Sequence, residues 1–148
     1  MPRIERSATV TWDGNVARGE GHISGDTGAF AQLPFSLPTR IGQAEGKTSP
    51  EELLASAHAG CLGMGLAGEL QNPDAHVEVH TTIRMDEVEG KGHQIVASTV
   101  NIRGRAPGIS RDDWEQKVAA ADEGCPFSTL LRNAGVEVTI NAELEEGT

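Results

Sequence analysis

The sequence SPEELLASAHAGCLGMGLAGEL, residues 49–70, contains the features that decide the fold. Ser49 can cap a helix that begins at Pro50, and Glu52 completes a Ser-x-x-Glu capping box. The sixteen residues after Glu52 carry no formally charged side chain, a pattern typical of a helix that is buried on nearly all sides. We therefore predict a buried central helix over residues 49–70.

Four glycines interrupt this otherwise alanine- and leucine-rich segment, and each costs a helix about 1 kcal/mol relative to alanine. The four are Gly60, Gly63, Gly65 and Gly68. Such a cost is offset when another backbone approaches closely. We therefore expect the helix to pack against its twin in an obligate homodimer.

The rest of the chain is predicted as one domain, 1–148, of the α+β class, with antiparallel strands around the central helix. Residues 1–48 read as a meander of three strands followed by a polar loop. Residues 71–148 read as a β-hairpin, a capped amphipathic helix over 110–123, a short helix over 127–133 and a last strand over 136–144.

Charge and composition exclude several kinds of partner. The formal net charge is −10, which argues against nucleic acid and anionic membrane surfaces. The uncharged run is too short and too rich in glycine to span a bilayer, which needs about 20 apolar residues. We see no signal-peptide pattern, and two cysteines 64 positions apart do not form a disulfide scaffold. A cytoplasmic location is expected.

The two cysteines have different local settings. Cys125 precedes Pro126 at the start of a short helix, where exposed N–H groups can stabilise a thiolate, although a packed small residue would fit the pattern equally well. Cys61 lies in mid-helix among apolar residues, which raise the pKa of a thiol. If Cys61 reacts, a cation must reach it from elsewhere. Arg40, on the predicted loop before the central helix, is the best candidate, with a surface arginine as the alternative.

Three motifs in register carry a resemblance to a known family. The segment PEELLASAHAGC that ends at Cys61, with Thr39-Arg40 upstream and Gly124-Cys125-Pro126 downstream, resembles the OsmC/Ohr family of thiol-dependent hydroperoxide reductases. The Ala-His-Ala-x-Cys form is closer to the OsmC branch, and the order of elements agrees over almost the whole chain. Leu62 follows the cysteine where many relatives carry phenylalanine.

The resemblance implies a mechanism for reducing organic hydroperoxides in oxidative or osmotic stress. Cys61 would attack the peroxide and become a sulfenic acid, and Cys125 would condense with it to a disulfide. Arg40 would lower the pKa of Cys61 and orient the peroxide, and Glu51 would hold the guanidinium. No metal or prosthetic group is implied, and the reductant would be a dithiol of the lipoyl type.

Helix geometry limits how Glu51 can take part. It precedes Cys61 by ten residues, which is about 15 Å along one helix, and the two faces differ by roughly 80°. Either Arg40 spans this gap or Glu51 comes from a second subunit. The glycine-lined, uncharged helix favours the second option, because packing it against its twin would bury both copies. The resemblance agrees, since it implies an intertwined homodimer with two active sites at the interface.

His58 lies one helical turn before Cys61 and allows two other chemistries, a Cys–His dyad for acyl transfer or a zinc site. No Cys-x-x-Cys or His-x-x-x-His spacing supports a metal site. We expect a packed, hydrogen-bonded histidine and no metal.

Four apolar residues are candidates for the rim of a peroxide pocket, although each would also suit a core: Phe35, Leu37, Met64 and Phe127. The alternative function, from another class, is a non-catalytic thiol redox sensor or a small-molecule-binding dimer of the same fold. A sensor would react once with peroxide, whereas an enzyme supplied with a dithiol would turn over.

Overall fold

The computed structural model describes residues 3–145, and the chain divides into two compact units, Met1–Pro50 and Glu51–Thr148. Each unit contains a three-stranded sheet, and the helices are not interleaved one by one with the strands. This arrangement confirms the predicted α+β class.

The sheet of the first unit is an antiparallel meander, β1 (Ala8–Asp13), β2 (Glu20–Gly25) and β3 (Leu33–Phe35), in that spatial order. Residues 14–19 form the turn that connects β1 to β2. Pro34 lies on the edge strand β3, as expected for a residue that cannot donate a backbone hydrogen bond.

A short helix, α1 (Leu37–Ile41), follows β3 where the sequence predicted a loop. Ser36 caps it, since its side chain accepts a hydrogen bond from the backbone N–H of Thr39 at 3.3 Å. The proline in the first turn suits a helix start, and the missed signal was this Ser-x-Pro sequence. Arg40 therefore lies in the last turn of a helix.

The sheet of the second unit contains the long antiparallel hairpin of β4 (His76–Val88) and β5 (Gly92–Arg105). The last strand, β6 (Glu137–Leu144), pairs with β5 in parallel, whereas the sequence predicted antiparallel strands. A parallel partner needs a crossover connection. Two helices between β5 and β6 supply it, α3 (Arg111–Glu123) and α4 (Pro126–Asn133).

The central helix α2 (Pro50–Leu70) has the predicted length and supplies His58, Leu62 and Leu66 to the interior of the second unit. The core also contains Trp114 of α3, whose indole lies where a side chain on residue 104 of β5 would be, so that position needs glycine. The remaining buried members of this cluster come from β5, α3 and the start of α4: Val100, Ile102, Val118, Ala121 and Cys125.

Within one chain α2 is buried on one face only, whereas the sequence predicted burial on nearly all sides. Met64 is 76% exposed on the other face. Among residues 3–145, a Cβ added at Gly60 or Gly68 would meet no atom within 4 Å apart from the nearby backbone of its own helix. A Cβ at Gly65 would lie 3.9 Å from the carbonyl oxygen of Ala121, an ordinary contact with α3.

Candidate active site

The fold brings the two cysteines of the chain together inside the second unit. Cys61 of α2 is partly buried and packs against the core cluster that contains Cys125. The two thiols lie close enough to interact, since Cys125 raises the pKa of Cys61, and both are free. Residues 64 positions apart in the sequence are therefore neighbours, which is the arrangement that a reversible disulfide needs.

Cys125 stands at the N-cap of α4, as the Cys-Pro sequence predicted. Its sulfur accepts a hydrogen bond from the backbone N–H of Ser128 at 3.5 Å. Its own N–H donates to the carbonyl oxygen of Asp122 at 3.1 Å, which ties the start of α4 to the end of α3. Cys125 is only 3% exposed, so its thiol is enclosed at the junction of the two helices.

Burial raises the pKa of the Cys61 thiol, which confirms the effect expected from its apolar surroundings. The hydrogen bond and the electrostatic interaction with Cys125 raise the pKa of Cys61 further. A hydrogen bond from the backbone N–H of Phe127 acts in the opposite direction. The first turn of α4 thus directs N–H groups towards both sulfurs, whereas the sequence predicted N–H groups only at Cys125.

His58 is fully buried and hydrogen-bonded through both ring nitrogens. Nδ1 lies 2.7 Å from Oγ of Ser98 on β5, and Nε2 lies 2.7 Å from Oγ of Ser128 on α4. Both serines are also fully buried. This confirms the expected packed histidine, but the sequence did not reveal the two serines, because nothing local marks partners so far away in the chain.

The environment of His58 favours the neutral imidazole. Burial lowers the pKa of His58, the carboxylate of Asp122 opposes this effect, and the guanidinium of Arg132 adds to the lowering. Asp122 and Arg132 form an ion pair of 2.8 Å between the end of α3 and α4. Within residues 3–145, no three His, Cys, Asp or Glu side chains are grouped closely enough to hold a metal ion.

Arg40 lines a cavity of about 330 Å³ in the first unit. Phe35 and Leu37, two of the predicted rim residues, line the same cavity, together with Trp12, Val16 and Ser36. The indole of Trp12 meets the ring of Phe35 edge to face, with centroids 5.4 Å apart. Gly21 of β2 makes room for both rings, because a side chain there would overlap them. Sequence reasoning missed Trp12, which lies on a separate strand.

The other predicted site residues belong to the second unit. Met64 is exposed on the open face of α2, and Phe127 is 36% exposed on α4, so neither is a core residue of this chain. Glu51 lies in the first turn of α2 and is partly exposed.

No helix in the described part of the chain is long and apolar enough to cross a membrane.

Comparisons with known proteins identify the family. A family model described as OsmC-like protein matches residues 42–141, which is more than half of the chain. The chain belongs to the OsmC-like family. The matched segment includes both cysteines, His58 and Glu51, whereas Arg40 precedes it.

Proteins similar to this chain support the membership, and the similarity extends over most of their length. The chain is 29% identical to Peroxiredoxin OsmC of Escherichia coli over 145 residues, which covers 96% of this chain and 98% of the relative. It is 28% identical to the organic hydroperoxide resistance protein of Xanthomonas axonopodis pv. citri, covering 80% and 82% of the two chains. The crystal structure of the organic hydroperoxide resistance protein OhrB of Bacillus subtilis matches with a TM-score of 0.63 and 28% identity, covering 94% of this chain and 98% of that one.

Proposed function

We propose that this protein is a thiol peroxidase that reduces organic hydroperoxides to alcohols, with Cys61 as the attacking thiol and Cys125 as the resolving thiol. The observation that carries this proposal is the packing of the two free thiols close together inside the second unit. It occurs in a member of a family whose relatives are named peroxiredoxin and organic hydroperoxide resistance protein. The names of those relatives support the substrate class.

The proposed reaction has three steps. The Cys61 thiolate attacks the terminal oxygen of the hydroperoxide, the O–O bond breaks, and the alkoxide takes a proton to leave as the alcohol. The sulfur is now a sulfenic acid. Cys125 attacks it, a disulfide forms, and the hydroxyl group leaves as water. A dithiol of the lipoyl type then reduces the disulfide by exchange and is itself oxidised to a disulfide.

Access supports Cys61 as the sulfur that attacks. Cys61 is partly exposed, whereas Cys125 is 3% exposed and enclosed between α3 and α4. A hydroperoxide with an organic tail must reach the sulfur along the line of the O–O bond, and an enclosed thiol prevents that approach. An intramolecular partner needs no such access, because it is already in contact.

Arg40 and Glu51 complete the proposed site. Burial keeps the Cys61 thiol protonated, so attack at neutral pH requires a cation that favours the thiolate. Arg40 is proposed to supply this field and to orient the peroxide, with Glu51 holding the guanidinium. The mostly apolar lining of the Arg40 cavity suits an alkyl or aryl tail. Phe35 and Leu37 from this cavity, with Met64 and Phe127, are the proposed rim.

A homodimer is part of the proposal. The open face of α2 exposes Met64 and presents Gly60 and Gly68 with free space around them. Glycines that cost helix stability and have no close neighbour among the described residues favour a second copy as that neighbour. Light scattering at micromolar concentration should give twice the chain mass of 15.6 kDa, and a folded monomer would contradict this part. A cytosolic location is also proposed, because two cysteines that form no disulfide scaffold are typical of proteins in a reducing compartment.

One experiment tests the peroxidase proposal against a redox sensor. Intact mass is measured before and after one equivalent of cumene hydroperoxide, and a loss of two hydrogens is expected from the disulfide. Continuous consumption of peroxide should follow when dihydrolipoamide is added in excess. An unchanged mass contradicts the thiol chemistry, and a disulfide that forms once without turnover supports the sensor instead.

A further inference from the structure

The side chain of His58 connects α2 to β5 and α4 in the second unit, close to the two cysteines. Its ring is held to β5 through Ser98 and to α4 through Ser128, each at 2.7 Å. All three side chains are fully buried, so no water competes for these hydrogen bonds. The sequence singled out His58 because of its spacing from Cys61, and the peroxidase mechanism gives it no role.

The two ends of this link lie next to the two sulfurs. Cys61 follows His58 by one turn of α2 and shares its face. At the other end, the backbone N–H of Ser128 donates to Sγ of Cys125 at 3.5 Å. The His58–Ser128 hydrogen bond therefore joins α2 to the first turn of α4 within one turn of both thiols.

We propose that His58 is a positioning residue that fixes the N-terminal turn of α4 against α2 and so sets the effective concentration of the Cys125 thiol at Cys61. The closeness of the thiols can be measured without peroxide. The consequence for catalysis rests on the proposed function. A sulfenic acid at Cys61 either meets Cys125 and releases water, or meets a second hydroperoxide and becomes a sulfinic acid.

A merely structural role makes a different prediction. If His58 only filled the core, its loss would destabilise the reduced and the disulfide forms equally. The equilibrium between those two forms would then not change. That equilibrium is the readout that separates a positioning residue from a packed one.

Two variants of His58 can each keep one of its two hydrogen bonds and lose the other. The amide of His58→Asn reaches about as far as Nδ1 and can keep the contact with Ser98. The amide of His58→Gln reaches about as far as Nε2 and can keep the contact with Ser128. Ser128→Ala removes the same contact from the α4 side while it leaves the backbone N–H to Cys125, and Ser98→Ala is its matched control.

Each variant is equilibrated in buffers of reduced and oxidised glutathione, quenched with acid and analysed by intact mass. His58→Asn and Ser128→Ala should lower the effective concentration of the two thiols by about tenfold, and His58→Gln and Ser98→Ala by less than about threefold. Equal values in all four variants and the wild-type protein would overturn the proposal, as would an equal loss in all four. So would a wild-type protein that forms no disulfide. Should His58→Asn fail to fold, Ser128→Ala against Ser98→Ala decides alone.

A second arm uses excess cumene hydroperoxide and measures the sulfinic acid at Cys61. The fraction of sulfinic acid should rise by about tenfold in His58→Asn and Ser128→Ala, because the slower resolving step leaves more time for a second oxidation. A wild-type protein that forms the disulfide in glutathione but ignores peroxide would contradict the proposed function and leave the positioning role intact. Variants that match the wild-type protein in both arms would overturn the positioning role alone.

Discussion

The surroundings of Cys61 and Cys125 differ in exposure and in local structure. Cys61 lies in the middle of α2 and is partly exposed, whereas Cys125 caps α4 and is 3% exposed. The start of α4 does not distinguish them, because Ser128 donates its N–H to Cys125 and Phe127 donates its N–H to Cys61. The two thiols therefore differ in access rather than in proximity to a helix terminus.

The surroundings of Cys61 also disfavour its thiolate, which is the form that reacts with a peroxide. Burial and the contact with Cys125 both raise the pKa of Cys61, so the better exposed thiol is held in its unreactive form. A helix terminus contributes typically 0.3–1 kcal/mol, which is less than one pKa unit. A guanidinium beside a partly desolvated sulfur can contribute more, about 4 kcal/mol at 4 Å with an effective dielectric constant of 20.

The largest effect is therefore expected from Arg40→Met. In the proposed mechanism the Cys61 thiolate is less populated at neutral pH without this cation, so the rate of its oxidation by cumene hydroperoxide should fall by about a hundredfold or more. Glu51→Gln should lower the rate less, because Glu51 is proposed to act only through the arginine. Stopped-flow measurement of thiol oxidation gives these rates.

The matched control is Arg84→Met, since Arg84 is an exposed arginine that pairs with Asp86 at 3.3 Å on β4. Its rate should equal that of the wild-type protein. An unchanged rate in Arg40→Met would show that another cation activates Cys61.

A smaller effect is expected on the pH dependence of Cys61. Only the thiolate reacts, so the rate of alkylation rises with pH up to the pKa of the thiol. Because Cys125 raises that pKa, Cys125→Ala should move the midpoint of the alkylation profile to lower pH. Cys125→Ser keeps a hydroxyl group that can hydrogen-bond and should shift the midpoint less. A midpoint that moves to higher pH in Cys125→Ala would contradict the contact between the thiols.

The smallest effects concern stability, measured as the free energy of unfolding in urea. Cys125→Ala removes a buried side chain and the cap of α4 and should cost about 1–2 kcal/mol. Cys61→Ala should cost less than about 0.5 kcal/mol, because alanine is the best helix former and the site is partly exposed. Equal costs at the two positions would mean that their surroundings do not differ as described.

Sequence reasoning worked where the signal was local. The uncharged run with its Ser-Pro start predicted the bounds of α2 to within one residue, and the Cys-Pro pair predicted the start of α4. The raised pKa of Cys61 followed from its apolar neighbours in the sequence. Each of these depends on residues within a few positions of one another.

Features that depend on distant parts of the chain were missed. Ser98 and Ser128 became partners of His58 only through the packing of β5 and α4. Trp12 joined Phe35 in a cavity because Gly21 leaves space between adjacent strands. The parallel pairing of β6 with β5 depends on the path of two helices, which no pattern within the strand itself reveals.

The central claim is that Cys61 attacks and Cys125 resolves, and a sulfenic-acid trap tests it most directly. Cys125→Ser and Cys61→Ser are each treated with one equivalent of cumene hydroperoxide and dimedone, and the labelled residue is identified by peptide mass. Cys125→Ser should be labelled at Cys61, and Cys61→Ser should stay unlabelled. Labelling of Cys125 in Cys61→Ser at the rate of the wild-type reaction would reverse the two roles and contradict the account.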